Sequence, residues 1–267
     1  MKQLTNLIFI TICLLTICSC ARDPNTIAEP AGLHQAYIQT EVFKLASYQR
    51  LRQAAAPINI YIEGDGHAFC RYKVSNDPSP HQPTMLQIAA LDPNPNVVYL
   101  ARPCQYSAQD LKTVCDAKYW TYARYSATVV NAIDQAITKI KQQSQKINLI
   151  GFSGGGTIVV LIAAQRHDVA SIRTIAGNLD LIAMQNYHHT TPLYESLDPI
   201  TVAAKVKNIP QLHFVGAKDH VVPTFIAKNF CQAAGIDPKH VIVLPTAGHH
   251  NGWASIWPEL LKRVPEI

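Results

Sequence analysis

The sequence predicts an α/β fold, with a mostly parallel central sheet and helices on both of its faces. Three observations carry this. Strand-like apolar stretches alternate with segments whose apolar residues recur at helical spacing, a pattern that parallel strands joined by crossover helices produce. One junction, Gly151-Phe152-Ser153-Gly154-Gly155-Gly156, is a glycine-rich turn between such a strand and such a helix. The composition, 48% apolar and 15% charged, supplies a core large enough for one sizeable domain and argues against disorder.

Taken in order, residues 37–40 and 43–50 read as two short strands forming an antiparallel edge pair. Ile58-Asn59-Ile60-Tyr61-Ile62 is a branched, strand-forming run that ends in the flexible turn Glu63-Gly64-Asp65-Gly66. Residues 76–83 are a polar, Pro-rich loop, 85–91 a short helix, and 97–100 a buried strand. Between 119 and 143, Val129, Ile133, Ile137 and Ile140 recur at helical spacing with Lys, Gln and Asp between them, which predicts an amphipathic helix. The strand 147–150 leads into the glycine turn and an apolar helix over 157–164. Further strands are expected at 171–176, 211–215 and 241–244, with helices at 225–234 and 253–263. The intervening stretch 181–206 is too short for a separate lid domain and reads as a small cap segment.

The N-terminus has the proportions of an export signal, with Lys2 at its start and an apolar run from Leu7 to Ile17 that is short for a bilayer span. Ile17-Cys18-Ser19-Cys20 resembles a bacterial lipobox, which implies lipidation of Cys20. Ser19 and Ala21 also form the small pair of an ordinary cleavage site after Ala21. The organisation expected is a signal segment 1–19, a tether 20–33 carrying two prolines, and a domain 34–267. The protein is then exported to the cell envelope and held on a membrane by a lipid anchor. Ala21 after the cysteine implies, by the same resemblance, an outer-membrane or periplasmic setting rather than inner-membrane retention.

Once Cys13 and Cys18 leave with the signal and Cys20 carries lipid, four cysteines remain, an even number suited to disulfides in an oxidising compartment. Cys104 and Cys115 flank a short loop and form the expected pair; Cys70 with Cys231 follows by elimination. No Cys-x-x-Cys spacing suggests a metal site, so none is expected. The net charge of +5 comes without a dense Lys/Arg run, which argues against nucleic acid as a partner.

Chemistry concentrates at Ser153. A serine hydroxyl is a weak nucleophile at neutral pH and needs a fixed, exposed position and a base. Gly-x-Ser-x-Gly between strand and helix provides the position, because small residues flank a turn that lifts Oγ above the sheet. Downstream, Gly216-Ala217-Lys218-Asp219-His220-Val221-Val222-Pro223 ends one strand and Gly248-His249-His250-Asn251-Gly252 follows the last. These three segments, in this order, resemble the α/β-hydrolase superfamily over nearly all the chain from about residue 43 to 261. The resemblance implies Ser153 as nucleophile, His249 as base and Asp219 as the acid that orients it, with His250 and Asp180 as competitors. It further implies oxyanion donors at the backbone N–H groups of Gly154 and of Asp65, with Gly66 the alternative to Asp65 because Glu63 stands where the esterases and lipases commonly carry His. The side chain of Asp65 must then turn away from the oxyanion. The expected activity is hydrolysis of a small-molecule or lipid ester through an acyl-enzyme, without a cofactor. A non-catalytic envelope binding protein and an acyltransferase are the alternatives. His188-His189 reads as a loop near the pocket, since adjacent histidines point apart.

Overall fold

In this computed structural model, residues 23–70, 73–106 and 114–267 are described; the expected signal segment and Cys20 lie outside them. In chain order the elements are α1 (Asn25–Ala28), β1 (His34–Gln39), β2 (Lys44–Leu51), β3 (Ile58–Ile62), β4 (Phe69–Cys70), β5 (Lys73–Val74), α2 (Thr84–Ala90), β6 (Asn96–Leu100), α3 (Ala127–Ile140), β7 (Ile147–Phe152), α4 (Gly154–Ala163), β8 (Val169–Ile175), α5 (Leu181–His188), β9 (Gln211–Gly216), α6 (Thr224–Ala234), β10 (Val241–Leu244) and α7 (Trp253–Leu261).

The described residues form an eight-stranded sheet in the order β1-β2-β6-β3-β7-β8-β9-β10, plus the separate β4–β5 hairpin. β2 runs antiparallel to both β1 and β6, while the pairings from β6 across to β10 are all parallel. This is the architecture the sequence predicts, including the antiparallel edge pair. Alternation along each strand sends side chains to opposite faces. Ile60 and Ile62 join the core under α3, α4 and α6, and Tyr61 joins the core under α1, α2 and α7. Helix α4 is buried along its whole length, which explains why it has no polar face.

The structure adds detail in three places. The amphipathic helix starts at Ala127, not near 119, because Ser126 is extended and a 3-10 turn occupies Ala117–Trp120. Trp120 and Tyr125 are buried by the loop's path rather than by a helical face. Within the stretch expected as a tether, α1 and the following 3-10 turn Glu29–Ala31 fold onto the domain, with Ala28 and Leu33 fully buried. The expected cap, 181–206, consists of α5 and a 3-10 segment, Pro199–Val206, that packs on α4 and α6. No described helix is long and apolar enough to cross a membrane.

Candidate active site

Strand β7 delivers Ser153 at the carboxyl end of the sheet. Its backbone sits at φ 50°, ψ −118°, a region that a residue with a Cβ rarely enters. Three backbone hydrogen bonds hold it there: Ser153 N–H donates to Ile175 O at 2.9 Å, and its carbonyl accepts from Gly156 at 2.9 Å and Asn178 at 3.0 Å. The flanking glycines are dictated by close approach. A Cβ on Gly151 would lie 2.3 Å from Gly155 O, and one on Gly155 would lie 2.3 Å from Ile62 O.

Two further strand ends converge on this turn. Asp219 follows β9, and its Oδ1 accepts from the N–H groups of Val221 and Val222, each at 2.8 Å. Its Oδ2 lies 2.9 Å from His249 Nδ1, with the carboxylate side chain fully buried. In the tautomer with its proton on Nδ1, the ring donates to Asp219 and leaves Nε2 as an acceptor. Nε2 faces Ser153 Oγ at 3.2 Å. Trp253 Nε1 donates to the His249 carbonyl at 2.8 Å, and the imidazole packs against Phe152 with ring centroids 5.1 Å apart. The structure therefore brings Ser153, His249 and Asp219 into one hydrogen-bonded chain.

The competitors have other partners. His250 lines the same cavity but turns its Nδ1 to Thr84 Oγ1 at 3.4 Å; burial, then the neighbouring His249, lowers its pKa. Asp180 caps α5 by accepting from Ala183 N–H and also accepts from Asn229 Nδ2, both at 2.9 Å. Nε2 of His188 is 2.7 Å from Val221 O, so His188 meets the loop after Asp219. Among the described residues, no group of three or more His, Cys, Asp or Glu is placed to hold a metal ion.

The loop after β3 closes the opposite wall. Gly154 N–H opens α4 and has no intrahelical acceptor, and Asp65 N–H has no hydrogen-bond partner among the described residues. Glu63 is buried; its carboxylate accepts from Gly64 N–H at 2.9 Å and Tyr99 OH at 3.2 Å, and burial pushes its pKa up to about 7. The Asp65 carboxylate turns into a cluster that sequence reasoning did not find. It accepts from Arg102 at 3.3 Å, Arg124 at 3.1 Å and Tyr125 OH at 2.6 Å. Burial alone would raise its pKa; Arg124 and Arg102 beside it, with Tyr125, hold it below the usual value.

Between these walls lies a cavity of about 480 Å³ that reaches Ser153 and His249. Its outer lining comes from the loops bearing His67 and His81, whose rings stack 4.2 Å apart, and from Val221. None of residues 181–206 is among the residues that line it.

Cys104 and Cys115 are disulfide-bonded, as expected. The second expected pair is not formed: Cys70 sits exposed at the end of β4, while Cys231 faces the core from α6. Burial pushes the Cys231 thiol up to about 12.

The family model for serine hydrolase (FSH1) matches residues 86–251, more than half of the chain and spanning Ser153, Asp219 and His249. Similar solved structures include Est1E from Butyrivibrio proteoclasticus, with TM-score 0.58, 16% identity, and coverage of 85% of this chain and 96% of that one. The Pyrococcus furiosus esterase Pf2001 gives TM-score 0.59 at 11% identity over 89% of this chain and 93% of its own. A bacterial membrane phospholipase A gives 0.58 at 18% over 89% and 88%. Identities this low carry the fold alone. No curated protein matches the chain. On the family match, the chain belongs to the serine hydrolase (FSH1) family.

Proposed function

We propose that this protein hydrolyses carboxylic esters by way of an acyl-enzyme on Ser153. The observation that supports this reading is the unbroken chain Asp219–His249–Ser153 opening into a cavity that Gly64 and Asp65 also line. As Ser153 Oγ attacks the ester carbonyl carbon, its proton passes to His249 Nε2 and the carbonyl electron pair moves onto oxygen. Asp219 holds the imidazole in the required tautomer and stabilises the imidazolium. The N–H groups of Gly154 and Asp65 donate to the oxyanion, each contributing about 3–4 kcal/mol to the transition state. Collapse expels the alcohol, which takes the proton from His249. Water then gives a proton to His249 as it attacks the acyl-enzyme. The acid leaves and the proton returns to Oγ.

A panel of acyl esters of increasing chain length tests this reading. Wild type and His250→Ala should turn over at least one ester, while His249→Ala loses about 10³-fold or more in kcat. Loss in His250→Ala with retention in His249→Ala would move the base to His250. Anchoring is part of the same proposal: lipid on Cys20 would hold the enzyme at a membrane surface. Cys20→Ser should then release it into the soluble fraction; a variant still in the membrane fraction would count against the anchor.

A further inference from the structure

The proposed donor loop has an electrostatic problem. Asp65 is to offer its backbone N–H to a developing anion, yet it carries a carboxylate on the same residue. That carboxylate lies against the start of α4, where a Cβ added to Gly154 would meet Asp65 Oδ1 at 2.0 Å and Tyr125 OH at 2.5 Å. A negative charge so near Gly154 opposes the charge that forms in the transition state.

The surroundings of Asp65 answer this. Arg102 approaches Oδ1 from the loop after β6, and Arg124 and Tyr125 approach Oδ2 from the segment before α3. Two guanidiniums thus face one carboxylate, and burial leaves little water to screen them: the side chains of Arg102, Arg124 and Asp65 are 5%, 18% and 19% exposed. Arg102 also donates to the Arg124 carbonyl and sits over the Tyr125 ring, 5.3 Å from its centroid. Arg124 Nε is fixed by Thr121 O at 2.5 Å. Neither arginine has another carboxylate within ion-pair distance among the described residues.

Resting on the serine-hydrolase reading of the site, we propose that Arg102, Arg124 and Tyr125 are positioning residues. They hold the Asp65 carboxylate turned away from the reacting carbonyl and neutralise it, so that the Asp65 N–H serves as oxyanion donor. Removing Arg124 is therefore worse than removing the charge it balances, because it leaves behind the oxyanion a carboxylate that Arg102 alone must balance.

A double-mutant cycle tests this with kcat and KM on one ester and the rate of labelling by a fluorophosphonate, whose phosphoryl oxygen occupies the oxyanion position. Arg124→Met should lower kcat and the labelling rate at least tenfold with KM changed less than about threefold. Asp65→Asn, which keeps an acceptor for Tyr125, should lose less, and Asp65→Asn/Arg124→Met should recover at least threefold of the Arg124→Met loss. A double variant whose loss equals or exceeds the product of the two singles would overturn the proposal, as would an Arg124→Met protein with wild-type kcat. If Arg124→Met does not fold, Tyr125→Phe carries the test. It removes the 2.6 Å hydrogen bond to Asp65 and keeps the ring. A several-fold fall in kcat at constant KM supports the proposal, and an unchanged kcat overturns it. Wild-type protein that neither labels nor turns over any ester would instead defeat the hydrolase reading itself.

Discussion

Replacing Gly155 by alanine perturbs the contact on which both the fold and the site depend. Gly155 is the second residue of α4, and a Cβ there would lie 2.3 Å from Ile62 O, 2.7 Å from Glu63 O and 3.0 Å from Ile62 C. Ordinary contact begins near 3.4 Å, so the new methyl is about 1 Å too close to backbone atoms. β3 cannot withdraw, because it lies between β6 and β7 and Glu63 N–H is bonded to Leu100 O. The start of α4 must move instead, carrying Ser153 and the Gly154 N–H away from Asp65. Overpacking of this kind costs about 1–3 kcal/mol, and a misplacement of ~1 Å at reacting groups costs about 10²-fold in rate. We expect Gly155→Ala to lose about 2 kcal/mol in chemical denaturation and about a hundredfold in kcat, with KM within about twofold. Gly235→Ala is the control. It has φ +72° but open space around its Cβ, so it should lose about 1 kcal/mol of stability and no activity. A Gly155→Ala enzyme with wild-type kcat would refute the reasoning.

Two further predictions concern stability. His213 is fully buried between Thr174 and Gln211, and burial, then His240, lowers its pKa to about 3. Below about 6.5 the unfolded chain binds a proton there that the folded chain does not, so stability falls as pH drops from about 6.5 towards 3. Denaturation at pH 4.5 against pH 7 should show a loss of about 3 kcal/mol from this residue, flattened in His213→Gln; equal slopes for both proteins would exclude it. The Cys104–Cys115 bridge closes a loop with sequence separation 11, which chain entropy values at about 3 kcal/mol. Cys104→Ser/Cys115→Ser should lose about that much under non-reducing conditions, and a loss under about 0.5 kcal/mol would mean the bridge is not formed in solution.

Much of the fold was legible because the sheet's buried strands are short apolar runs separated by turn residues, and α4 is apolar on every side. The Ser–Asp–His order was legible because each residue lies just past a strand end, where an α/β sheet places its working groups. What sequence could not show was determined by distance along the chain. Arg102 and Arg124 belong to no motif in the sequence and meet Asp65 only through the tertiary path of two loops. The early start expected for α3 fails because burial by a loop, as at Trp120 and Tyr125, and burial by a helix face both call for apolar residues. The prolines of the supposed tether, Pro24 and Pro30, sit at the starts of α1 and the 3-10 turn, where a missing N–H is tolerated. Counting cysteines paired Cys70 with Cys231, since parity carries no information about which side chain faces the core.

The central claim is that Ser153 is an activated nucleophile. Labelling of the folded protein with a fluorophosphonate probe measures this directly, since the probe reacts with a serine whose proton a neighbouring base accepts. We expect one probe per wild-type molecule, none on Ser153→Ala, and sharply slowed labelling of His249→Ala. Folded wild-type protein that stays unlabelled, or Ser153→Ala labelled as fast as wild type, would contradict it.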